Sequence, residues 1–125
     1  GVGNDWGGSK NWNKKTFMNR YKNQLWRCGS GYKMPIRKYF KYLETRSDQI
    51  PLYLFDQRYH KIGPELLEEY TIPEYFPEDL FALGGRKERP PYRWLLLGPG
   101  GSTVPFHVDP QGTSAWNVVV KGKKR

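Results

Sequence analysis

Cysteine and histidine are scarce in this sequence. The 125 residues include one cysteine, Cys28, and two histidines, His60 and His107. A single cysteine excludes a disulfide within this chain and fits a reducing compartment. Histidine ligands for a metal can therefore come, within this chain, only from His60 and His107, which lie far apart in the sequence.

Long apolar runs are also absent. Mean hydropathy is −0.83, 26% of the residues are charged, and the longest plainly apolar run, residues 94–97, has the length of a strand. We therefore expect no membrane-spanning segment in this chain. A length of 125 residues allows one modest domain, and an aromatic content of 16% allows a core built from few bulky side chains.

Acidic residues are missing from one long stretch. Residues 10–41 contain ten lysines and arginines and no aspartate or glutamate, within a chain of net charge +9. Such a stretch can steer a protein to nucleic acid or to an acidic partner, and it can equally be a solvated basic face without a ligand. Both interpretations remain open. The basic segment 121–125 resembles a localisation patch, although Lys124 has a second interpretation below.

The first two thirds of the chain have mainly helical patterns. Residues 1–10 are rich in glycine, and we expect them to be flexible, with Trp6 as an anchor. Apolar spacing predicts a short helix over residues 13–21 and an amphipathic helix that begins at Pro35. Shorter patterns predict a turn at residues 29–31, a strand at 52–55, and helical turns at 65–67 and 79–81.

The last third is predicted to consist of consecutive strands. These are residues 92–97, 103–108 and 115–121, separated by a glycine-rich turn at 98–101 and a loop at 110–112. We expect the aromatic side chains here to lie in the core: Tyr92, Trp94, Phe106 and Trp116. The order indicates an α+β fold with a flexible stretch 1–10, a helical region with one strand at 11–89, and the start of a barrel or sandwich at 90–125. Three strands cannot close a barrel.

His107 and Asp109 are the candidate metal ligands. Two residues apart on a strand, their side chains point to the same face and can bind one ion. An imidazole and a carboxylate suit a non-haem Fe(II) site, which needs one further histidine. The other histidine, His60, lies far upstream in a loop-like stretch. The alternative is a strand histidine capped by an aspartate at a turn.

The chain resembles the JmjC-domain oxygenases over several strings, in order. These are PLYLFD (51–56), PPYRW (90–94), GP (98–99) and the run from HVDP to GTSAWN (107–117). The most similar branch is the arginine demethylase and lysyl-hydroxylase type. The resemblance implies a double-stranded β-helix (cupin) barrel that uses Fe(II), 2-oxoglutarate and O2. It also implies that this chain is a fragment, incomplete at the C-terminus, with the third iron ligand beyond Arg125.

The resemblance also implies roles for individual residues. His107 and Asp109 would bind iron, and Lys124, seventeen residues after His107, would pair with the distal carboxylate of 2-oxoglutarate. Asn117 would offer its amide, and Tyr53 its phenol, to the same cosubstrate. Without the resemblance, Lys124 is one lysine of a basic tail, Asn117 a strand or turn amide, and Tyr53 part of the aromatic core.

One position departs from the family pattern. The family tends to place a hydroxyl residue three positions before the first iron ligand, and here that position is Val104. Ser102 and Thr103 lie just upstream, and we take Thr103 as the candidate contact for the cosubstrate. The departure bears on substrate choice more than on iron binding.

The implied activity is oxidation of protein side chains. Lysyl hydroxylation and arginine demethylation both fit, with basic segments of histones or splicing factors as substrates and the nucleus, or also the cytoplasm, as the location. The alternative is an inactive cupin scaffold whose basic region, 10–41, binds RNA or a ribonucleoprotein.

Overall fold

The structure, a computed structural model, describes residues 3–29 and 31–124 and shows an α+β arrangement with one sheet. The strands are β1 (Leu25–Cys28), β2 (Tyr32–Pro35), β3 (Leu54–Asp56) and β4 (Leu95–Leu97). The helices are α1 (Gly7–Asn11), α2 (Lys14–Tyr21), α3 (Ile36–Thr45), α4 (Tyr59–Ile62) and α5 (Gly85–Glu88). Single 3-10 turns lie at Pro64–Leu67, Leu80–Gly84 and Pro110–Gly112.

The sheet is antiparallel and has the strand order β2-β1-β3-β4. Strands β1 and β2 form a hairpin in which Trp26 pairs with Met34. Strand β3 then joins this hairpin to β4, with Leu54 opposite Leu97 and Asp56 opposite Leu95. The edge strand β4 therefore depends on β3 for its position, and β4 is the strand that leads towards His107.

Local sequence accounts for the two main helices. The side chain of Asn13 caps α2 by accepting the N–H of Thr16 at 3.0 Å, which satisfies a free donor of the first turn. Helix α3 follows Pro35 and buries one apolar face through Ile36, Tyr39 and Phe40. Both helices were predicted, and both predictions are confirmed.

The core lies between these two helices and one face of the sheet. An aromatic group at its centre joins α2 to β1, because Phe17, Tyr21 and Trp26 have ring centroids 5.4–5.5 Å apart. The largest side chains that are fully buried among the described residues are those of Trp26, Cys28, Ile36, Tyr39, Leu54 and Leu66. By area burial, each large apolar side chain in such a core contributes about 1.5–3 kcal/mol.

The region 11–89 contains more strand than predicted. We predicted one strand there, and the structure has three, because the hairpin β1–β2 was missed. The turn that joins these strands was predicted at residues 29–31, but Ser30 lies outside the described residues. The strand predicted at 52–55 and the turn at 65–67 are confirmed with small shifts, as β3 and as the 3-10 turn at Pro64–Leu67. The division into three regions remains a prediction.

The last third differs from the prediction. Residues 103–108 and 115–121 were predicted as strands, yet in the described chain neither segment pairs with a sheet. Strand propensity measures how well a side chain fits a pleated, half-buried sheet surface. In the described residues, no neighbouring strand provides such a surface for these two segments. Phe106 is fully exposed, and the exposed fraction of Val108 is 83%. Tyr92 and Trp94, also predicted to be core residues, are partly exposed for the same reason.

The glycine-rich start contains more structure than its composition indicates. Residues 7–11 form α1, where Gly8 is buried and its N–H donates to the Glu69 carbonyl at 2.8 Å. Trp6 anchors this stretch, since its indole N–H donates to the Thr71 hydroxyl at 3.1 Å. Gly1, Val2 and Arg125 lie outside the described residues, so the flexibility predicted for 1–10 stays a prediction. No helix in the described ranges is long and apolar enough to cross a membrane.

Candidate metal site

A tight turn connects β4 to the segment that carries the candidate ligands. The N–H and the hydroxyl of Ser102 both donate to the Pro99 carbonyl, at 3.2 and 2.9 Å. Gly98 begins the turn, and a Cβ atom there would lie 2.6 Å from the Ser102 hydroxyl oxygen. A larger residue here would displace the Ser102 hydroxyl from the Pro99 carbonyl, so glycine keeps the turn closed, and the turn fixes where the following residues leave the sheet.

The structure brings the side chains of His107 and Asp109 together. Nδ1 of His107 lies 2.8 Å from the Pro105 carbonyl, and Nε2 lies 3.1 Å from Oδ1 of Asp109. A carbonyl oxygen only accepts hydrogen bonds, so Nδ1 carries a proton and donates it. The ring is thereby oriented with Nε2 towards the carboxylate, as metal-binding histidines usually are by a hydrogen bond at their other nitrogen.

Protonation decides what this pair can do. The hydrogen bond to the Pro105 carbonyl, together with the Asp109 carboxylate, raises the pKa of His107. Below that pKa, Nε2 donates to Asp109 and the two form an ion pair. Above it, Nε2 and Oδ1 are two electron-pair donors facing the same point. Donors with bonds of about 2.1 Å to a first-row metal, at roughly right angles, are about 3 Å apart, so the observed spacing suits one shared cation.

His107 and Asp109 supply two of the three protein ligands that such an Fe(II) site needs. Within residues 3–29 and 31–124, no group of three histidine, cysteine, aspartate or glutamate side chains could hold a metal. His60 lies on α4 and does not join His107 and Asp109. Burial, followed by Arg93 and Lys61, lowers the pKa of His60, the direction opposite to that of His107.

Tyr53 and Thr103 lie on either side of the turn at 98–102. Tyr53 immediately precedes β3, and a Cβ atom on Gly98 would lie 3.1 Å from its own Cβ atom. Its ring contacts Phe55 edge-on, with centroids 6.1 Å apart. Thr103 is exposed. In the described chain, no hydrogen bond joins either side chain to His107 or Asp109.

Asn117 and Lys124 follow on the other side of the loop. Trp116 fixes the neighbourhood of Asn117: it stacks on Phe76 with centroids 6.1 Å apart and meets Trp6 edge-on at 6.3 Å. Residues 116–120 alternate between half-buried and exposed, so Asn117 points away from this aromatic group. Lys124 is exposed, and no ion pair to it occurs among the residues that the structure describes.

Sequence reasoning predicted Trp6 as an anchor but missed two other residues that position the site. Phe76, which stacks on Trp116, and the hydroxyl of Ser102 hold the segments that carry Asn117 and His107, but no short motif marks them. The backbone conformation of Gln111 was also not predicted. Its φ of +63° lies in the left-handed region. There the Gly112 N–H donates to the Asp109 carbonyl at 2.9 Å and closes the turn after the second ligand.

No family model matches this chain. Six curated proteins do, among them the following three. Bifunctional arginine demethylase and lysyl-hydroxylase psr-1 of Caenorhabditis briggsae is 36% identical over 132 residues, covering 100% of this chain and 33% of that protein. Arginine-specific demethylase JMJ22 of Arabidopsis thaliana is 49% identical over 92 residues, covering 74% of this chain and 18% of that protein.

The third relative is lysine-specific demethylase JMJ21 of Arabidopsis thaliana, 37% identical over 129 residues, which cover 100% of this chain and 14% of that protein. The chain thus spans about a third of the length of the psr-1 protein and less of the two plant proteins. The matched segments confirm the resemblance found from the motifs. The chain belongs to the JmjC-domain oxygenase family, in which it is similar to the psr-1 branch.

Proposed function

We propose that this chain supplies two iron ligands and part of the cosubstrate site of a dioxygenase that uses Fe(II), 2-oxoglutarate and O2. The observation that carries the proposal is the pair His107 and Asp109, with Nε2 and Oδ1 3.1 Å apart and the ring oriented through the Pro105 carbonyl. One imidazole and one carboxylate match two thirds of a facial triad. The relatives' names support the reaction class, since one similar protein is a 2-oxoglutarate and iron-dependent oxygenase from chicken.

The same relatives support a proposal for the fold of the intact enzyme. We propose that residues 103–108 and 115–121 are strands of a double-stranded β-helix whose pairing partners lie outside residues 3–29 and 31–124. Residues 103–108 are all exposed and residues 115–121 alternate between exposed and half-buried, which supports this, because a barrel strand buries one face and pairs both edges. The third iron ligand is proposed to be a histidine from that second half of the barrel.

The cosubstrate roles are proposed for four side chains. Lys124 would pair with the distal carboxylate of 2-oxoglutarate as a compact cation with three donors. Asn117, Tyr53 and Thr103 would offer an amide and two hydroxyl groups. Tyr53 packs against Gly98 of the turn and Thr103 follows that turn in the sequence, and this supports a shared site for them.

Bound iron and its cosubstrates supply the oxidising chemistry: 2-oxoglutarate, O2 and a C–H bond become succinate, CO2 and a C–OH group. The protein contributes position. The Pro105 carbonyl holds the imidazole, and the turn closed by the Gly112 N–H holds Asp109. On a lysine side chain the reaction ends at the alcohol. On an N-methyl group the product loses formaldehyde and leaves the demethylated nitrogen.

The proposed substrates are basic segments of proteins such as histones or splicing factors, and the proposed location is the nucleus, or also the cytoplasm. The names of the psr-1 and JMJ22 relatives support lysine and arginine side chains as targets. These names also weigh against an inactive scaffold that binds RNA, since all three relatives are named as enzymes.

The test is made on the intact protein. Succinate formation from 2-oxoglutarate is measured with a lysine peptide and with a methylarginine peptide, for the wild type, His107→Ala and Lys38→Ala. We expect His107→Ala to lower succinate formation at least 100-fold and Lys38→Ala, on the exposed face of α3, to leave it unchanged. Activity retained by His107→Ala would remove this residue as an iron ligand and the proposal with it.

A further inference from the structure

A cavity of about 460 Å³ lies away from the candidate metal site, between α4 and the segment after α5. Arg58, Lys61 and Arg89 contribute three cationic side chains to its wall, beside His60 and Tyr92. A smaller cavity of about 200 Å³ shares Arg58 and Lys61 with it. Cavities of roughly 300–1,000 Å³ are the usual size for small-molecule sites.

The charges around the cavity are only partly compensated. Arg89 pairs with Asp79, and its guanidinium lies 3.4 Å from the centre of the Tyr92 ring. Arg58 and Lys61 are exposed, and their side chains form no ion pair in the part of the chain that the structure describes.

Asp56, in the smaller cavity, is the nearest lining carboxylate. Its oxygens already accept the backbone N–H groups of Arg58 at 2.6 Å and Arg27 at 2.9 Å. The lining therefore keeps an excess of positive charge.

Two buried nitrogen atoms in this lining lack partners. Nδ1 of His60 and Nε of Arg89 are inaccessible to solvent and make no hydrogen bond within the described chain. Because these two atoms are inaccessible, a molecule in the cavity would meet the exposed side chains of Arg58 and Lys61 instead. Burial and the nearby Arg93 and Lys61 lower the pKa of His60, which agrees with an electropositive surrounding.

We propose that this cavity binds the phosphoryl group of a small molecule. A phosphoryl group carries up to two negative charges and three acceptor oxygens, which matches several donors converging from α4 and from Arg89. A carboxylate has one charge and two oxygens in a plane, and would leave more of these donors unsatisfied. The proposal is independent of the iron chemistry.

Binding to the cavity can be measured through the NMR signals of the two histidines. The full chain has two, so proton NMR resolves the Cε1–H signals of His60 and His107 in one sample. Inorganic pyrophosphate is titrated in, and succinate serves as the carboxylate probe. We expect a saturable shift of the His60 signal with pyrophosphate, a rise in the pKa of His60, and at least a tenfold weaker response to succinate.

Variants distinguish binding in the cavity from non-specific attraction to the positive charge of the chain. Arg58→Gln and Lys61→Gln should each weaken pyrophosphate binding about tenfold, whereas Lys38→Gln, an equal loss of charge on the exposed face of α3, should not change it. Circular dichroism checks that each variant is folded. The proposal is overturned if the His60 signal does not respond, if Lys38→Gln weakens binding as much, or if succinate binds equally well. It is also overturned if a phosphopeptide or RNA binds here while pyrophosphate does not.

Discussion

The hydroxyl of Tyr39 donates a hydrogen bond to the carbonyl of Leu97, with the two oxygens 2.6 Å apart. The same hydroxyl accepts the N–H of Leu54 at 3.2 Å. One buried phenol thereby joins α3 to both β3 and β4, and β4 leads to the segment of His107 and Asp109. Burial raises the pKa of Tyr39, so it remains a neutral donor across the physiological range.

Replacing Tyr39 by phenylalanine should destabilise the protein by about 1–3 kcal/mol, because a buried N–H and a carbonyl would lose their partner. The free energy of unfolding in urea measures this. Tyr32→Phe is the control, since Tyr32 is exposed and its hydroxyl makes no hydrogen bond in the described chain. We expect less than about 0.5 kcal/mol for that change. Equal values for the two variants would contradict the role assigned to Tyr39.

Glu69 ties the N-terminal helices to the segment after Leu67. Its carboxylate accepts from the side chains of Asn11 at 2.9 Å, Trp12 at 2.6 Å and Arg20 at 2.8 Å. Glu69→Gln replaces one acceptor oxygen by a donor and removes the charge, so we expect a loss of about 1–3 kcal/mol. Thermal unfolding measures it. Glu68→Gln, the exposed neighbour, should shift the midpoint little, and a similar shift in both variants would exclude a specific role for Glu69.

Local signals account for what was predicted of the fold. Helix α2 was found because Phe17 and Tyr21 lie four residues apart on one face, and α3 because Pro35 precedes an amphipathic pattern. The three contacts of Glu69 span 49 to 58 residues, and no local pattern encodes them. The hairpin was missed because its two strands are only four residues long and because buried and exposed side chains do not alternate along β2.

The candidate site also has some features that the local sequence predicts and others that it does not. The spacing of His107 and Asp109 predicts that they face one point, and the structure has them 3.1 Å apart. The support from Pro105 depends on backbone geometry and could not be read from residue types. Strands at 103–108 and 115–121 were predicted from composition, but pairing needs a neighbouring strand, which composition does not supply.

Cys28 should be unreactive in the folded protein. It is fully buried, and burial, followed by the nearby Asp56, raises the pKa of its thiol from 9.0 to about 11. The thiolate fraction at pH 8 is then roughly 100-fold lower than for a free cysteine. Iodoacetamide labelling followed by mass spectrometry should be slow without urea and fast in urea. Rapid labelling of the folded chain would show that Cys28 is accessible.

The same shift predicts a pH dependence of stability. A pKa raised in the folded state means that folding favours the neutral thiol, so this contribution is fully present below pH 9 and is lost as the pH rises towards 11. Cys28→Ala removes this titration, and the difference in unfolding free energy between wild type and variant should narrow over that range. Parallel pH profiles for the two proteins would contradict the assignment.

Lys124 provides the last test, which rests on the proposed function. If its ammonium group pairs with the distal carboxylate of 2-oxoglutarate, Lys124→Ala removes a hydrogen bond between charged groups, typically worth about 1.5–3 kcal/mol. We then expect KM for 2-oxoglutarate to rise roughly 10- to 150-fold in the intact protein, with a smaller effect on kcat at saturation. Lys123→Ala removes the same charge one residue away and should leave KM unchanged, because the proposal assigns the carboxylate contact to Lys124 alone. Equal increases in KM for both variants would assign the effect to the basic segment as a whole. An unchanged KM for Lys124→Ala would show that Lys124 makes no specific contact with 2-oxoglutarate.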